Sequence, residues 1–244
     1  MPRRIAALMV RGAMDFVYPV RCVLCGTLGM PVACPACESL FSLMPARVCR
    51  ACGVSIDGAP ELMQRERACA RCILQTPYHF SWARARGSYE GVLREAIHSL
   101  KYDHCRPMGA VLGRWLRHGP GATIDPPRQP DIVLPVPLHP RRLLERGFNQ
   151  SLLLARAYVG ETEWPLRTDI LRRKRCTRPQ ALLTAEQRAV NVRGAFAVRQ
   201  PEAIAGKRLL LIDDVVTTMH TVDECARVLK EAGAAEVYVL AVAR

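Results

Sequence analysis

The sequence predicts an α/β protein in which helices flank a parallel sheet, preceded by a small N-terminal region organised around clustered cysteines. Two observations predict this architecture. Eight of the eleven cysteines lie between positions 22 and 72. In the C-terminal third, one helical segment separates two apolar runs, which is typical of a strand–helix–strand crossover in a parallel sheet. We expect two parts, residues 1–76 with an N-terminal helix and residues 77–244.

Composition limits the class of protein. Half of the 244 residues are hydrophobic and 23% are charged, which favours a folded chain with a sizeable core over disorder. The longest apolar runs are far shorter than the roughly 20 residues of a membrane-spanning helix, and Arg11 ends the only apolar stretch near the N-terminus. We therefore expect no membrane insertion and a cytoplasmic location. The net charge of +13 indicates either a coding bias toward Arg or an anionic partner.

The N-terminal cysteines form four Cys-x-x-Cys pairs. Two such pairs close a tetrahedral four-thiolate site, so the repeated spacing indicates structural zinc. A disulfide framework is the alternative, but it requires an oxidising compartment. Joining the first pair to the second and the third to the fourth keeps each loop short, and a cross-braced order stays open. The predicted ligands of two zinc ions are Cys22, Cys25, Cys34, Cys37, Cys49, Cys52, Cys69 and Cys72.

Apolar periodicity predicts the other elements, with a Pro- and Gly-rich loop at 119–130. In chain order they are helices over 89–101 and 108–116, a strand over 131–136, a helix over 149–158, a strand over 208–214, a helix over 222–232 and a strand over 237–243. The strongly basic segment 172–193 has no clear period and contains Pro179, so we expect a mobile surface loop there.

The strand over 208–214 ends in two acids, Asp213 and Asp214, and the Thr-rich turn 215–221 then leads into a helix. Ligands of parallel sheets bind beyond the carboxyl ends of the strands, and N–H groups at a helix N-terminus suit a phosphate. The two carboxylates suit sugar hydroxyls or a hydrated Mg²⁺. The pattern thus favours a phosphoribosyl ligand, although Asp and Thr are also ordinary helix-capping residues.

Four segments carry a resemblance to known proteins. LLLIDDVVTTMHT, at 209–221, resembles the phosphoribosyl-pyrophosphate (PRPP) motif of type I phosphoribosyltransferases. LPVPLHPRRLLERGFNQ at 134–150, YEGVLREAIHSLKY at 89–102 and the RxxRPQ…RxxN pattern across 175–191 resemble the ComF family, as do the paired cysteines. By this resemblance the chain is identified as a member of that family.

The resemblance implies a type I phosphoribosyltransferase-like domain behind a double zinc ribbon, with PRPP and Mg²⁺ as ligands. Its ligand-binding residues would be Asp213, Asp214, Val215, Val216, Thr217, Thr218, Met219, His220 and Thr221. A pyrophosphate loop would contain Pro137, Leu138, His139, Arg141 and Arg142, and Arg178 and Gln180 would belong to a flexible loop that closes over the site. Met219 replaces the usual Gly, which bears on how tightly the loop wraps a phosphate.

Two functions follow from the resemblance as expectations. The first is a phosphoribosyltransferase with an unknown acceptor, acting in DNA uptake, natural competence or nucleotide use. Thr217 stands where purine-salvage enzymes carry Asp, which disfavours a purine base as acceptor. The second is a non-catalytic zinc-ribbon adaptor that binds single-stranded DNA or competence proteins.

Overall fold

The protein is described by a computed structural model over residues 20–30, 32–74, 77–121, 124–160, 162–176 and 190–244. Its central feature is a parallel four-stranded sheet in the order β1–β6–β5–β2. A separate antiparallel pair joins β3 to β4. The strands are β1 (Trp82–Gly87), β2 (Ile132–Pro135), β3 (Leu171–Arg173), β4 (Phe196–Val198), β5 (Arg208–Val215) and β6 (Glu236–Ala243). The expected parallel sheet is confirmed.

The helices of the described ranges flank this sheet or lie in the N-terminal region. They are α1 (Pro35–Ser39), α2 (Glu61–Glu66), α3 (Ala70–Leu74), α4 (Gly91–Tyr102), α5 (Met108–His118), α6 (Pro140–Arg146), α7 (Gln150–Val159) and α8 (His220–Glu231). Among the described residues, no helix combines the length and apolarity that crossing a membrane requires.

The two faces of the sheet bury different elements because side chains alternate along each strand. Leu210 and Ile212 of β5 pack with α4, α5 and α7 on one face. Leu209 and Leu211 pack on the other face with α8, the β3–β4 pair and the region around Cys49 and Cys52. Both faces are therefore covered, as the continuous apolar run of β5 predicts.

Strand β1 was not predicted from the sequence. Its segment, WARARG, alternates small apolar residues with Arg84 and Arg86, which hides the apolar period. The Arg86 guanidinium donates to carbonyl oxygens at the end of α5, including Leu116 at 2.9 Å and Gly119 at 2.6 Å. Arg84 donates to the carbonyl oxygens of Cys49 and Arg50. These two arginines serve as structural donors, so their charge does not mark a solvent-exposed loop.

Two loop predictions are wrong in part. The expected loop at 172–193 begins within β3, where Arg172 and Arg173 pair with Ala197 and Phe196. The expected loop Pro137–Arg142 runs into helix α6. His139 caps that helix by accepting a hydrogen bond from the Arg141 amide, and Pro140 occupies the first turn, where a missing N–H costs nothing. Arg178 and Gln180 lie outside the described residues.

Candidate functional site

Strand β5 delivers Asp213 and Asp214 to the carboxyl edge of the sheet. The Asp213 carboxylate accepts from the Ser151 hydroxyl at 2.9 Å, which links β5 to the first turn of α7. It also accepts from the Asp214 amide at 2.9 Å, while Asp214 accepts from the Val215 amide at 2.6 Å. Side chains and backbone thus hold both carboxylates in place before any ligand binds.

Lys101, at the end of α4, forms an ion pair with the second acid. Its ammonium lies 2.9 Å from Asp214 Oδ1, and the two side chains are only 16% and 12% exposed. Burial alone would lower the pKa of Lys101, but the Asp214 carboxylate outweighs that effect and raises the pKa above its ordinary value. The lysine therefore stays charged and neutralises one acid of the pair.

Asp213 is electrostatically different from Asp214. Burial, and after it the neighbouring charge of Asp214, raises the pKa of Asp213 to about 7. The Ser151 hydroxyl and Lys101 oppose that shift only in part. The acid pair therefore holds one firmly paired carboxylate and one that gains or loses a proton near neutral pH.

The turn after the acids contains a methionine in a backbone conformation that favours glycine. Met219 adopts φ +65°, the left-handed conformation that favours Gly, and directly precedes α8. Its side chain is 3% exposed and packs in the core with Val216 and Val222. The turn places Thr217, Thr218 and Thr221 around a small recess.

A larger cavity of about 810 Å³ is lined by eight of the fourteen described residues that were predicted to bind the ligand or pyrophosphate. The residues from β5 and its turn that line the cavity are Asp213, Asp214, Val215, Thr217 and Thr221. From the predicted pyrophosphate loop, Pro137, Leu138 and Arg142 also line it. Arg141 does not share this setting, because it pairs with Glu145 at 3.1 Å on the surface of α6 and its side chain is 75% exposed.

Sequence reasoning missed several residues of this cavity, which include Lys101, Tyr102, Arg146, Ser151 and Arg173. The sequence did contain a signal for Lys101. Lys101 follows Ile97 by four positions and therefore lies on the apolar face of α4, and it is one of only four lysines in an Arg-rich chain. Arg173 gave no local signal, since it reaches the cavity from β3, where its guanidinium lies 5.3 Å from the centre of the Phe196 ring.

The eight paired cysteines form two four-sulfur clusters. One contains Cys22, Cys25, Cys34 and Cys37, the other contains Cys49, Cys52, Cys69 and Cys72, and in each cluster all sulfurs lie within 4.8 Å of one another. Three of the sulfur–sulfur distances are 3.9, 3.7 and 3.7 Å. Zn–S bonds of about 2.3 Å in a tetrahedron require about 3.8 Å, whereas a disulfide needs about 2.05 Å. Both clusters fit structural zinc, and the pairing is sequential.

Comparison with known proteins supports the zinc ribbon and finds relatives that match nearly the whole chain. The double zinc ribbon domain family matches residues 13–73. The chain is 32% identical over 238 residues to the DNA utilization protein YhgH of Salmonella typhi, with 91% of this chain and 96% of the relative covered. It is 28% identical over 239 residues to Competence protein F of Haemophilus influenzae, with 95% and 99% covered.

Solved structures with a similar fold have low identity. Glutamine PRPP amidotransferase from B. subtilis is 24% identical, with 57% of this chain and 26% of that chain covered and a TM-score of 0.37. Hypoxanthine phosphoribosyl transferase of Trypanosoma cruzi is 15% identical, with 61% and 64% covered and a TM-score of 0.29.

The parallel sheet, its flanking helices and the two cysteine clusters define a double zinc ribbon protein with a parallel α/β domain. The similarity to YhgH of Salmonella typhi extends over nearly the full length of both chains. The chain belongs to the ComF family of DNA-utilisation and competence proteins.

Proposed function

We propose that the cavity at the carboxyl end of β5 binds PRPP or a related phosphoribosyl ligand, and that residues 77–244 form the domain that does so. One observation carries the proposal: two preformed carboxylates and a phosphate-loop backbone line one cavity with a cationic side chain, Arg142. The Asp213 carboxylate would accept from a ribose hydroxyl, and the N–H groups of the turn would receive the 5′-phosphate.

The pyrophosphate end of the ligand would lie toward α6 and β3. Arg142 and Arg173 line the cavity from these two elements, and guanidinium groups bind phosphate oxygens bidentately. Asp214 is already paired with Lys101, so the acid pair is a poor direct site for a divalent cation. Mg²⁺ would instead be held mainly by the pyrophosphate oxygens, where it would neutralise the leaving group.

Transfer of the phosphoribosyl group to an acceptor is the reaction that this arrangement supports. Breaking the bond to pyrophosphate builds positive charge on the ribose and negative charge on the leaving group, so the protein contributes positioning and electrostatics. The family relationship supports a role in DNA uptake or DNA use. Four pairs of zinc-binding thiolates favour the reducing cytoplasm as its location.

Thermal melting with PRPP, ribose 5-phosphate and pyrophosphate, each with and without Mg²⁺, tests the proposal. At a PRPP concentration about 100-fold above Kd, binding adds about 2.7 kcal/mol, which corresponds to a rise in Tm of roughly 5–10 °C. We expect that rise with PRPP and Mg²⁺, and a smaller one with ribose 5-phosphate. The absence of a shift with all three compounds would reject phosphoribosyl binding.

One observation favours the second function, binding of single-stranded DNA. Arg146 lies over the ring of Tyr102 at 5.4 Å from the ring centre, and Tyr102 is 54% exposed. Paired cationic and aromatic groups are typical of surfaces on which bases stack. Binding of an oligonucleotide that weakens steeply with salt, and that Tyr102→Ala reduces, would support this function.

A further inference from the structure

The second zinc ribbon contacts the proposed phosphate loop directly. We use second ribbon for residues 47–74, with its zinc ligands at positions 49, 52, 69 and 72. We use phosphate loop for residues 215–221, of which Val215 ends β5 and His220 and Thr221 begin α8. Arg71, between the ligands Cys69 and Cys72, donates from Nη1 to the carbonyl oxygen of Thr218 at 3.2 Å. These residues are 147 positions apart in the chain, so the contact joins two distant segments.

Two aromatic residues that follow the second ribbon, Tyr78 and Phe80, support the Arg71 side chain. Its guanidinium lies 4.6 Å from the centre of the Tyr78 ring. The Tyr78 ring in turn stacks on Phe80, with centroids 4.5 Å apart and planes at 15°. Arg71 lies in the short helix α3, between Cys69, which directly precedes the helix, and Cys72 within it. Binding of zinc by these two cysteines would therefore fix the position of the Arg71 backbone.

A further contact connects the same region to the other end of the loop. The backbone amide of His79 donates to Asp223 Oδ1 at 2.7 Å, in the first turn of α8. The ribbon and the segment that follows it thus contact the phosphate loop at Thr218 and the helix that the loop leads into.

The backbone conformation of the phosphate loop is unfavourable and depends on contacts with its surroundings. Met219 directly follows Thr218, and the left-handed backbone at Met219 is disfavoured for any residue with a Cβ. A loop with this conformation relaxes unless its surroundings hold it. Burial of the Met219 side chain holds one side, and the Arg71 hydrogen bond holds the adjacent carbonyl group.

We propose that the second zinc ribbon positions the phosphate loop through Arg71, so that zinc binding at Cys49, Cys52, Cys69 and Cys72 and phosphate binding are coupled. Arg71 is a positioning residue in this scheme, because it would act through the backbone of Thr218, to which it donates a hydrogen bond. The first ribbon, whose zinc ligands are Cys22, Cys25, Cys34 and Cys37, has no part in this coupling. The ligand half of the proposal rests on the proposed function, whereas the positioning half concerns the free protein.

Hydrogen exchange of the free protein tests the positioning. We expect Arg71→Ala to increase exchange of the amides of residues 217–221 while those of β5 stay protected and the zinc content remains two per chain. Arg71→Lys should restore much of the protection, since an ammonium can also donate to the carbonyl. Arg65→Ala is the matched control, because Arg65 is exposed on α2 of the same ribbon. Equal loop exchange in Arg71→Ala and Arg65→Ala would overturn the proposal.

A pair of cysteine variants tests the link to zinc. Cys72→Ser and Cys25→Ser each remove one ligand, from the second and the first cluster respectively. We expect each to lose one zinc ion, but only Cys72→Ser to increase exchange of the phosphate loop. Equal effects of the two variants on the loop, or no effect of Cys72→Ser, would show that the second ribbon does not position it.

Calorimetric titration with ribose 5-phosphate tests the coupling to binding. Loss of one supporting hydrogen bond predicts about three- to tenfold weaker binding by Arg71→Ala, with near-normal binding by Arg71→Lys and Arg65→Ala. Unchanged affinity in Arg71→Ala would overturn the coupling. If the unaltered protein binds no ribose 5-phosphate, the proposed function fails, and the exchange experiment still decides whether Arg71 positions the loop.

Discussion

The ammonium of Lys101 lies 2.9 Å from the carboxylate of Asp214, where both are largely buried at the carboxyl end of β5. This pair changes the electrostatics of the proposed site. Two adjacent acids would repel a phosphoribosyl ligand with its several negative charges, and Lys101 cancels one of them. It also leaves Asp213 as the acid whose proton responds to neutral pH.

Replacement of Lys101 by Met should therefore weaken both the fold and ligand binding. Removing one partner of a largely buried ion pair leaves an uncompensated charge, so we expect the free energy of unfolding to fall by about 3 kcal/mol. Affinity for PRPP should fall at least tenfold, since the acid pair regains its negative charge. Urea denaturation and calorimetric titration measure the two effects. Lys207→Met, an exposed change before β5, should alter neither by more than about 0.5 kcal/mol.

A double-mutant cycle provides the control for this interpretation. Asp214→Asn alone should also lower the free energy of unfolding, because it leaves the buried Lys101 charge unpaired. The double variant Lys101→Met with Asp214→Asn should recover much of the lost stability. Additive effects of the two changes would show that the pair does not interact.

Substitutions of Met219 should separate backbone strain from core packing. Met219→Ala loses the buried side chain but keeps the Cβ in the left-handed conformation, so we expect a loss of about 2–5 kcal/mol. Met219→Gly loses the same side chain but removes the strain, so it should be about 1 kcal/mol more stable than the Ala variant. Chemical denaturation measures the difference. A Gly variant that is no more stable than Ala would show that position 219 carries no strain.

Zinc content should follow the two sequential clusters. The protein should contain two zinc ions, and Cys25→Ser combined with Cys34→Ser should retain one, because both residues serve the same ion. A cross-braced order would lose both ions in that double variant. Cys105→Ser, Cys176→Ser and Cys225→Ala should leave the content at two. Elemental analysis with titration of free thiols makes the measurement.

Ligand binding should depend on pH through Asp213. Its raised pKa means that the carboxyl group is largely protonated below about pH 7 and ionised above it. Because a carboxylate is the better acceptor for a ribose hydroxyl, affinity for ribose 5-phosphate should increase from pH 6 to pH 8. Asp213→Asn should abolish this part of the dependence and leave only the titration of the ligand's own phosphate. Identical pH profiles for both proteins would exclude Asp213 as the titrating group.

The sequence predicted those parts of the fold in which local pattern and packing agree. Helix α4 has a clear apolar period and strands β5 and β6 are continuous apolar runs, and all three occur where expected. Strand β1 was missed because its arginines pair with distant carbonyl groups, which no local pattern records. The acid pair was recognisable from its position after β5, whereas the Arg71 contact with Thr218 depends on tertiary packing alone.

Titration of PRPP with Mg²⁺ into the unaltered protein and into Asp213→Asn tests the central claim most directly. Asp213 accepts from Ser151 and forms no ion pair with Lys101, so its replacement by the isosteric amide should preserve the fold. We predict measurable binding by the unaltered protein and at least a tenfold loss in the variant, with normal zinc content and melting. Equal binding by the two proteins would contradict the assignment of the phosphoribosyl ligand to the carboxyl end of β5.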